Sequence, residues 1–550
     1  MNNHPFEAVV VGSGATGGIA AMTLAQSGIR TLVIEAGPQL KVEKALGSEP
    51  TNTFRRLIGL ASGEQKVQAQ HPGYWKSNPL LYTNEKFNPY TYPLNKPFMW
   101  TQGRQVGGRS LTWGGITLRI SDHDLKAPIQ DGYGSEWPIS YNDLSPHYSF
   151  IEKSLLVHGN KDGLDYLPDG EFLNPLPLTE SEKIFFEKVQ SQLNYQCIHS
   201  RGFAHHDSAD KNVWPNSSSL GSSLKNALAT GKVEILPNKM VDHLIFNKDC
   251  TRASGLILVD QTNGKREKLD ANLVVLCAST IQTLRILLES KEQNLSNGFI
   301  DPSGKLGQCL MDHVSTCRFF SLPNRSLKDK DTQNKEKHIL SGAGSFFMPN
   351  CSNSEHSLRK NFLRGYGLWG GIERFEPPGC LKRRGDSSIG FLIGHGEVLP
   401  RSDNKVTLSH KTDRWGIKAP HIECSWGENE KKMVTHMNKT IEDSVEASGG
   451  TISPLKELVK MPFIEPFVDS AIALQTSSPP PGYYIHEVGG APMGVNEKTS
   501  VVDSFNRLWR CPNVLVVDGA CWPTSAWQSP TLTMMAITRR ACLEAIKPQS

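Results

Sequence analysis

A chain of 550 residues has room for two or three ordinary domains or for one large two-part enzyme. Hydrophobic residues make up 38% and aromatics 8%, enough for a sizeable core, which excludes a disordered chain. Lys plus Arg total 59 against 55 Asp plus Glu, and this net charge of +4, spread along the chain, is too weak for a nucleic-acid footprint.

The first residues, Met1 to Glu7, run directly into the apolar stretch Ala8 to Val11, with no basic segment and no cleavage pattern of a signal peptide. No run approaches the roughly 18 apolar residues of a membrane span. The 11 cysteines are odd in number and lack CxxC spacing, so they read as free or buried thiols, and a cytoplasmic enzyme is expected.

Val9 to Val11 predict a buried strand, followed by a Gly-rich turn and an Ala/Leu-rich helix to about Gln26. Gly28 punctuates the helix end, and Thr31 to Ile34 predict a second strand. Gly12, Gly14 and Gly17 form G-x-G-x-x-G inside this unit. The first glycine permits the tight turn, the second lets backbone approach a pyrophosphate, and the third lets helix pack on strand. Glu35 ends the second strand, where a carboxylate can accept both ribose hydroxyls, so FAD or NAD is expected over NADP. Spacing alone does not choose between those two.

Further along, Ser326 to Lys337 is polar and charged, consistent with a loop or lid, and Ser477 to Pro481 is a Ser/Pro-rich link. After it come His486 to Gly494, the strand Asn513 to Gly519, and Ser529 to Ala536, which runs into a final helix. No internal repeat is visible.

With these C-terminal residues the chain resembles the glucose-methanol-choline oxidoreductases. Gln105 to Gly115 looks like that family's Gly-rich loop against the flavin, and Glu136 to Leu144 is similar to the segment that follows it. Val274 to Leu288 resembles the second family signature, Gly304 to His313 the segment after that, and Asn404 to Leu408 a substrate-domain strand. Order and spacing agree throughout; only about 160–215 and 316–395 carry no match.

The resemblance implies an α/β fold with FAD as the cofactor. A Rossmann-like FAD-binding domain would be assembled from 1–160, 216–315 and 480–550. An α+β substrate-binding domain with a large mixed or antiparallel sheet would come from 161–215 and 316–479. The cofactor would meet Gly107, Gly108, Thr112, Trp113, Gly114 and Gly115 of the loop, with these glycines allowing close backbone approach to the ring. Val241, after the strand Val233 to Leu236, would meet the adenine through its backbone amide. Asp518, Gly519 and Thr531 would lie near the ribityl and pyrophosphate region. In some sugar oxidases of the family, a histidine immediately before the loop tryptophan bonds covalently to the flavin. Here that position is Thr112, so the FAD is expected to be non-covalent.

Alcohol oxidation removes a proton from oxygen and a hydride from carbon, so the protein must supply a base and the geometry. A neutral imidazole suits the task, its ordinary pKa being near about 6.5. His486 opens the family's His-x-x-Gly-Gly-x-x-Met-Gly pattern and is the expected base. The other histidines among the 17, including His123, His313 and the pair His205 and His206, read as ordinary residues, and no ligand spacing predicts a metal. The family places a second polar residue, His or Asn, just before its Pro-Thr-Leu-Thr stretch. This chain has Ser529 there, after Gln528, and both are candidates to assist the base.

The loop and the Pro-Thr-Leu-Thr ending look closest to the sugar-oxidising branch, which implies a pyranose or glycoside hydroxyl as substrate. Phe346, Phe347, Tyr366, Trp369 and Arg374 are candidates to stack on or bind a sugar. The electron acceptor (oxygen, a quinone or a protein) and a homo-oligomeric state stay open. A redox-neutral lyase or photochemical enzyme on the same scaffold and an oxidase of a non-sugar alcohol are the alternatives. So is a flavin subunit serving a partner protein.

Overall fold

The computed structural model describes every residue except 1–5, 49–50, 206–211, 294–300, 324–338, 351–360, 375–381, 384–386, 461–477 and 549–550. The expected loop over Ser326 to Lys337, His206 and the first residue of the Ser477 to Pro481 link lie outside the described residues.

β-branched runs build the first sheet. Its strand order is Arg507–Leu508, Cys511–Val516, Leu273–Leu276, Ala8–Val11, Thr31–Ile34 and Val233–Leu236. All neighbours are parallel except the first pair, with Val9 opposite both Leu32 and Val274. Strands buried on both faces read as continuous apolar runs, and Ala8–Val11 and Thr31–Ile34 are buried throughout. The helix Ala15–Gln26 is rich in small residues, which lets it pack closely against Ser223–Ala229 and Thr531–Ala545. An antiparallel sheet of Lys239–Phe246, Ala253–Asp260 and Arg266–Asp270 adjoins this body.

The second sheet is wholly antiparallel. Its order is Thr451–Ile452, Val314–Leu322, Ser388–Gly396, Tyr366–Ile372, Phe346–Asn350 and Ile198–His199. The helix Glu428–Ala447 covers one face, and the strand's glycines make room for it. A Cβ on Gly396 would stand 2.2 Å from Met433 Sδ, and one on Gly394 would stand 2.9 Å from Met437 Sδ. Side chains alternate across a strand, so His395, between those two glycines, points to the opposite face.

The strand expected at Asn404 to Leu408 is not part of this sheet. Lys405–Thr412 pairs with Lys418–Glu423 as a hairpin that packs on the helix Thr280–Gln293, beside the first sheet. Among the described residues no helix is long and apolar enough to cross a membrane.

Candidate active site

The turn after Ala8–Val11 is kept tight by its glycines. Gly12 has φ +102°, and a Cβ there would stand 2.4 Å from the Cys277 carbonyl oxygen. A Cβ on Gly17 would stand 2.0 Å from the Gly12 carbonyl oxygen, so the helix closes on the strand only over a bare Cα. At Gly14 a Cβ would meet no heavy atom within 4 Å. This is the open side of the turn, at the N-terminal end of Ala15–Gln26, and helix N-termini of this kind offer unpaired N–H groups to anions.

Glu35 is buried, and burial raises its carboxyl above the usual range. Its Oε2 accepts Ser13 Oγ at 2.6 Å and its Oε1 accepts the Gly37 amide at 2.9 Å, tying the second strand to the glycine turn. The Gly-rich loop is stitched to the same turn. The Gly107 amide donates to Ser13 Oγ at 2.9 Å, and a Cβ on Gly108 would stand 3.2 Å from the Gly14 Cα. Thr112 Oγ1 donates to the Arg109 carbonyl, and Trp113 Nε1 donates to the Ser217 carbonyl at 2.9 Å. Gly114 is exposed, whereas the Gly115 carbonyl accepts the Phe203 amide.

Val241 lies where its strand shifts register, and its carbonyl accepts the Arg285 guanidinium. Asp518 is buried, which raises its carboxyl to about 6, and it accepts Thr283 Oγ1 at 2.6 Å and the Ala520 amide at 3.0 Å. The Gly519 carbonyl accepts the Gly489 amide at 2.7 Å, which docks this turn beside the His486 segment. Thr531 is half-buried at the start of the last helix.

His486 does not stand alone. Its Nδ1 lies 2.9 Å from Nδ1 of His313, with ring centroids 4.8 Å apart and nearly perpendicular at 79°. His313 Nε2 lies 2.8 Å from the Ala526 carbonyl oxygen. A third imidazole, His395, sits 5.4 Å from His313 and stacks on Tyr484 at 5.1 Å and 16°. Both ring nitrogens of His395 are buried without a hydrogen-bond partner among the described residues.

Burial lowers all three basicities. His313 falls to about 4, and His395 falls well below the ordinary value, with His313 adding to the effect. His486 also falls well below it, through burial first and then His313, His395 and Arg109. Beneath the pair, Asp312 Oδ1 accepts the backbone amides of His313 at 2.8 Å and His486 at 2.9 Å, while Oδ2 accepts the Gly482 amide at 2.8 Å. Burial, then the neighbouring Glu487, raises the Asp312 carboxyl to about 7.

The expected assistants of His486 are placed differently. Gln528 turns its amide nitrogen to Asp124 Oδ2 at 2.8 Å and to the Tyr166 carbonyl at 3.4 Å. Ser529 is buried, and no hydrogen bond joins it to His486 among the described residues. His313, read from sequence as an ordinary residue, takes the place beside His486. Its one sequence signal was membership of the Gly304 to His313 segment, and His395 had none.

Of the residues offered for sugar binding, Arg374 is sealed in an ion pair with Glu182, Nε to Oε1 at 2.6 Å, and is 2% exposed. Phe346, Phe347 and Tyr366 are fully buried, and Tyr366 Oη lies 2.7 Å from His436 Nδ1. Trp369 is half-buried, with its Nε1 donating to Ser345 Oγ.

Two family models, both described as GMC oxidoreductase, match residues 6–315 and 400–538. The chain is 24% identical to the fructose dehydrogenase large subunit of Gluconobacter japonicus, over 98% of each chain. It is 23% identical to 2-methyl-1,2-propanediol dehydrogenase of Mycolicibacterium austroafricanum, over 97% of this chain and 94% of that one. Among solved structures, pyridoxine 4-oxidase from Mesorbium loti superposes with a TM-score of 0.64 at 16% identity, over 99% of this chain and 100% of the other.

Proposed function

The chain belongs to the GMC oxidoreductase family, flavoproteins that oxidise alcohol groups, and from that premise we propose that it holds FAD non-covalently and oxidises a secondary hydroxyl of a sugar or glycoside with His486 as the base. The observation that carries this is the state of His486. Its ring is half-buried, burial and its neighbours hold its basicity well below the ordinary value, its Nδ1 is engaged by His313, and Nε2 has no hydrogen-bond partner among the described residues.

A neutral, partnerless ring nitrogen is a base for a hydroxyl placed against it. FAD, when bound, supplies the acceptor for the hydride that leaves the alcohol carbon. Nε2 takes the hydroxyl proton as the carbonyl forms. His313 and His395 are buried beside it, and Asp312 holds the backbone of both His313 and His486. The glycine turn at Gly12, Gly14 and Gly17 and the loop at Gly107 and Gly108 fit the pyrophosphate half of the cofactor. Thr112 offers no imidazole for a covalent link. A sugar substrate is supported by the likeness to a fructose dehydrogenase; the diol and pyridoxine enzymes are the non-sugar comparison.

The test is anaerobic mixing of the FAD-loaded protein with fructose, a methyl glycoside, 2-methyl-1,2-propanediol and pyridoxine. Loss of visible flavin absorbance with fructose or the glycoside is expected, with His486→Ala retaining FAD and slowing bleaching by about 10²-fold or more. Bleaching by the diol or pyridoxine alone would discard the sugar substrate. If none of the four bleaches the flavin, the oxidation reading is wrong.

A further inference from the structure

We propose that His313 is a positioning residue that decides which nitrogen of His486 acts as the base: the Ala526 carbonyl, His313 and His486 form one hydrogen-bonded line that leaves the reactive lone pair on His486 Nε2. The proposal rests on the reading of His486 as the base and names what sets its tautomer.

The argument follows the protons. A carbonyl oxygen only accepts, so the 2.8 Å contact with Ala526 requires a proton on His313 Nε2. His313 is 1% exposed, and burial holds it in the neutral form, so that proton is its only one. Its Nδ1 therefore carries a lone pair. The Nδ1 of His486 stands 2.9 Å away, and two facing lone pairs at that distance would repel. The proton between the rings must belong to His486 Nδ1, which donates to His313. The other nitrogen of a neutral His486 is then the unprotonated one. Left to itself in water, imidazole prefers the opposite tautomer, so the line does chemical selection.

Two backbone features hold the line. Ala526 has φ +59°, a left-handed conformation that a non-glycine residue holds only where its surroundings fix it, and this sets the direction of its peptide group. Asp312 Oδ1 accepts the amides of both histidines, so one oxygen sets the spacing of the two rings. His395 packs against His313 from the sheet side, with ring centroids 5.4 Å apart, and limits its rotation.

The experiment is a ¹⁵N–¹H spectrum of the FAD-loaded protein labelled at histidine, with the His486 signals assigned by their loss in His486→Ala. The expected result is Nδ1–H for His486 and Nε2–H for His313. In His313→Leu, His486 should change to Nε2–H, and flavin reduction by the best alcohol of the panel should slow about 10²-fold with its half-saturating concentration unchanged. His313→Gln, which both accepts and donates, should restore the Nδ1–H signal and bring the rate within about 10-fold of the parent. An Nε2–H signal for His486 in the parent protein, or an unchanged Nδ1–H signal in folded His313→Leu, overturns the proposal. Should His313→Leu fail to fold, the parent spectrum and the Gln variant decide it. The tautomer is read without substrate, so failure of the alcohol panel and failure of this proposal are separate results.

Discussion

Arg109, in the Gly-rich loop, grips Glu487, the residue after His486: Nη1 to Oε2 is 2.9 Å, while Nη2 donates to Ser279 Oγ at 2.9 Å. Glu487 is 2% exposed, and its Oε1 has no partner among the described residues. Removing the cation leaves a buried carboxylate uncompensated. Arg109→Met should lower stability by about 2–3 kcal/mol, at or below the low end for a broken buried pair because the arginine is partly exposed. Glu487→Gln in the Arg109→Met background should recover most of that loss. Urea unfolding of the parent, both single variants and the double variant gives the coupling, and additive effects would contradict the clamp.

Gly14 and Gly17 should fail in different ways. A methyl group on Gly14 meets no protein atom within 4 Å but would stand in the proposed pyrophosphate site, so Gly14→Ala should fold normally and bind FAD at least about 10-fold more weakly. A methyl group on Gly17 would stand 2.0 Å from a carbonyl oxygen, so Gly17→Ala should unfold at much lower temperature with or without cofactor. FAD titration by fluorescence, together with thermal unfolding of the apo-protein, separates the two. Equal FAD affinity in Gly14→Ala would place the pyrophosphate elsewhere.

His395 predicts a pH-dependent stability. Burial keeps it neutral in the fold, whereas in the unfolded chain it takes a proton near about pH 6.5. The unfolded state therefore binds more protons below that pH. The contribution of His395 is fully present above about 6.5 and is lost as pH falls towards the depressed folded value. His395→Phe removes one such proton. The plot of stability against pH between about 6 and 5 should become shallower by about 1 kcal/mol per pH unit. Urea midpoints at several pH values check this, and parallel curves for the two proteins would show that His395 is charged in the fold.

Gln528 should matter for the fold before the chemistry. Its amide nitrogen is one of the partners of buried Asp124, which also accepts the Ser121 amide and hydroxyl. Gln528→Leu should cost about 1–2 kcal/mol in unfolding and leave the rate of flavin reduction within about threefold. A 10²-fold slower reduction in a stable Gln528→Leu protein would return Gln528 to the reacting atoms.

The nucleotide half was legible because its signals are local. Three glycines, the strand before them and the acid after them lie within one strand–turn–helix–strand unit, and Gly12 and Gly17 each have a steric reason to be there. The histidine pair was not legible in that way. His313 and His486 are 173 residues apart, and the docking of the Met311 and Val488 backbones, with Asp312 holding both amides, brings them together. His395 reaches them because Gly394 and Gly396 turn the other face of their strand to a helix, a fact about packing partners that the strand's own sequence does not carry. Arg374 misled for the same reason. Its partner Glu182 lies 192 residues away, so a buried ion pair looked like a free cation. The position of Ser529 matched its motif, but the hydrogen bond that the motif leads one to seek there runs to His313.

The strand Cys511–Val516 is inserted between Arg507–Leu508 and Leu273–Leu276, and the helix Thr531–Ala545 packs on Ala15–Gln26. During synthesis the nucleotide fingerprint leaves the ribosome early, yet it waits for the far end of the chain before its sheet is complete. Until then Leu273–Leu276 is an unpaired apolar edge, a template for wrong partners. A polypeptide cut before residue 511 would carry every glycine of the fingerprint, and even His486, while exposing that edge. Quality control in the cell would therefore meet such fragments as aggregation hazards and not as small, self-sufficient cofactor-binding modules.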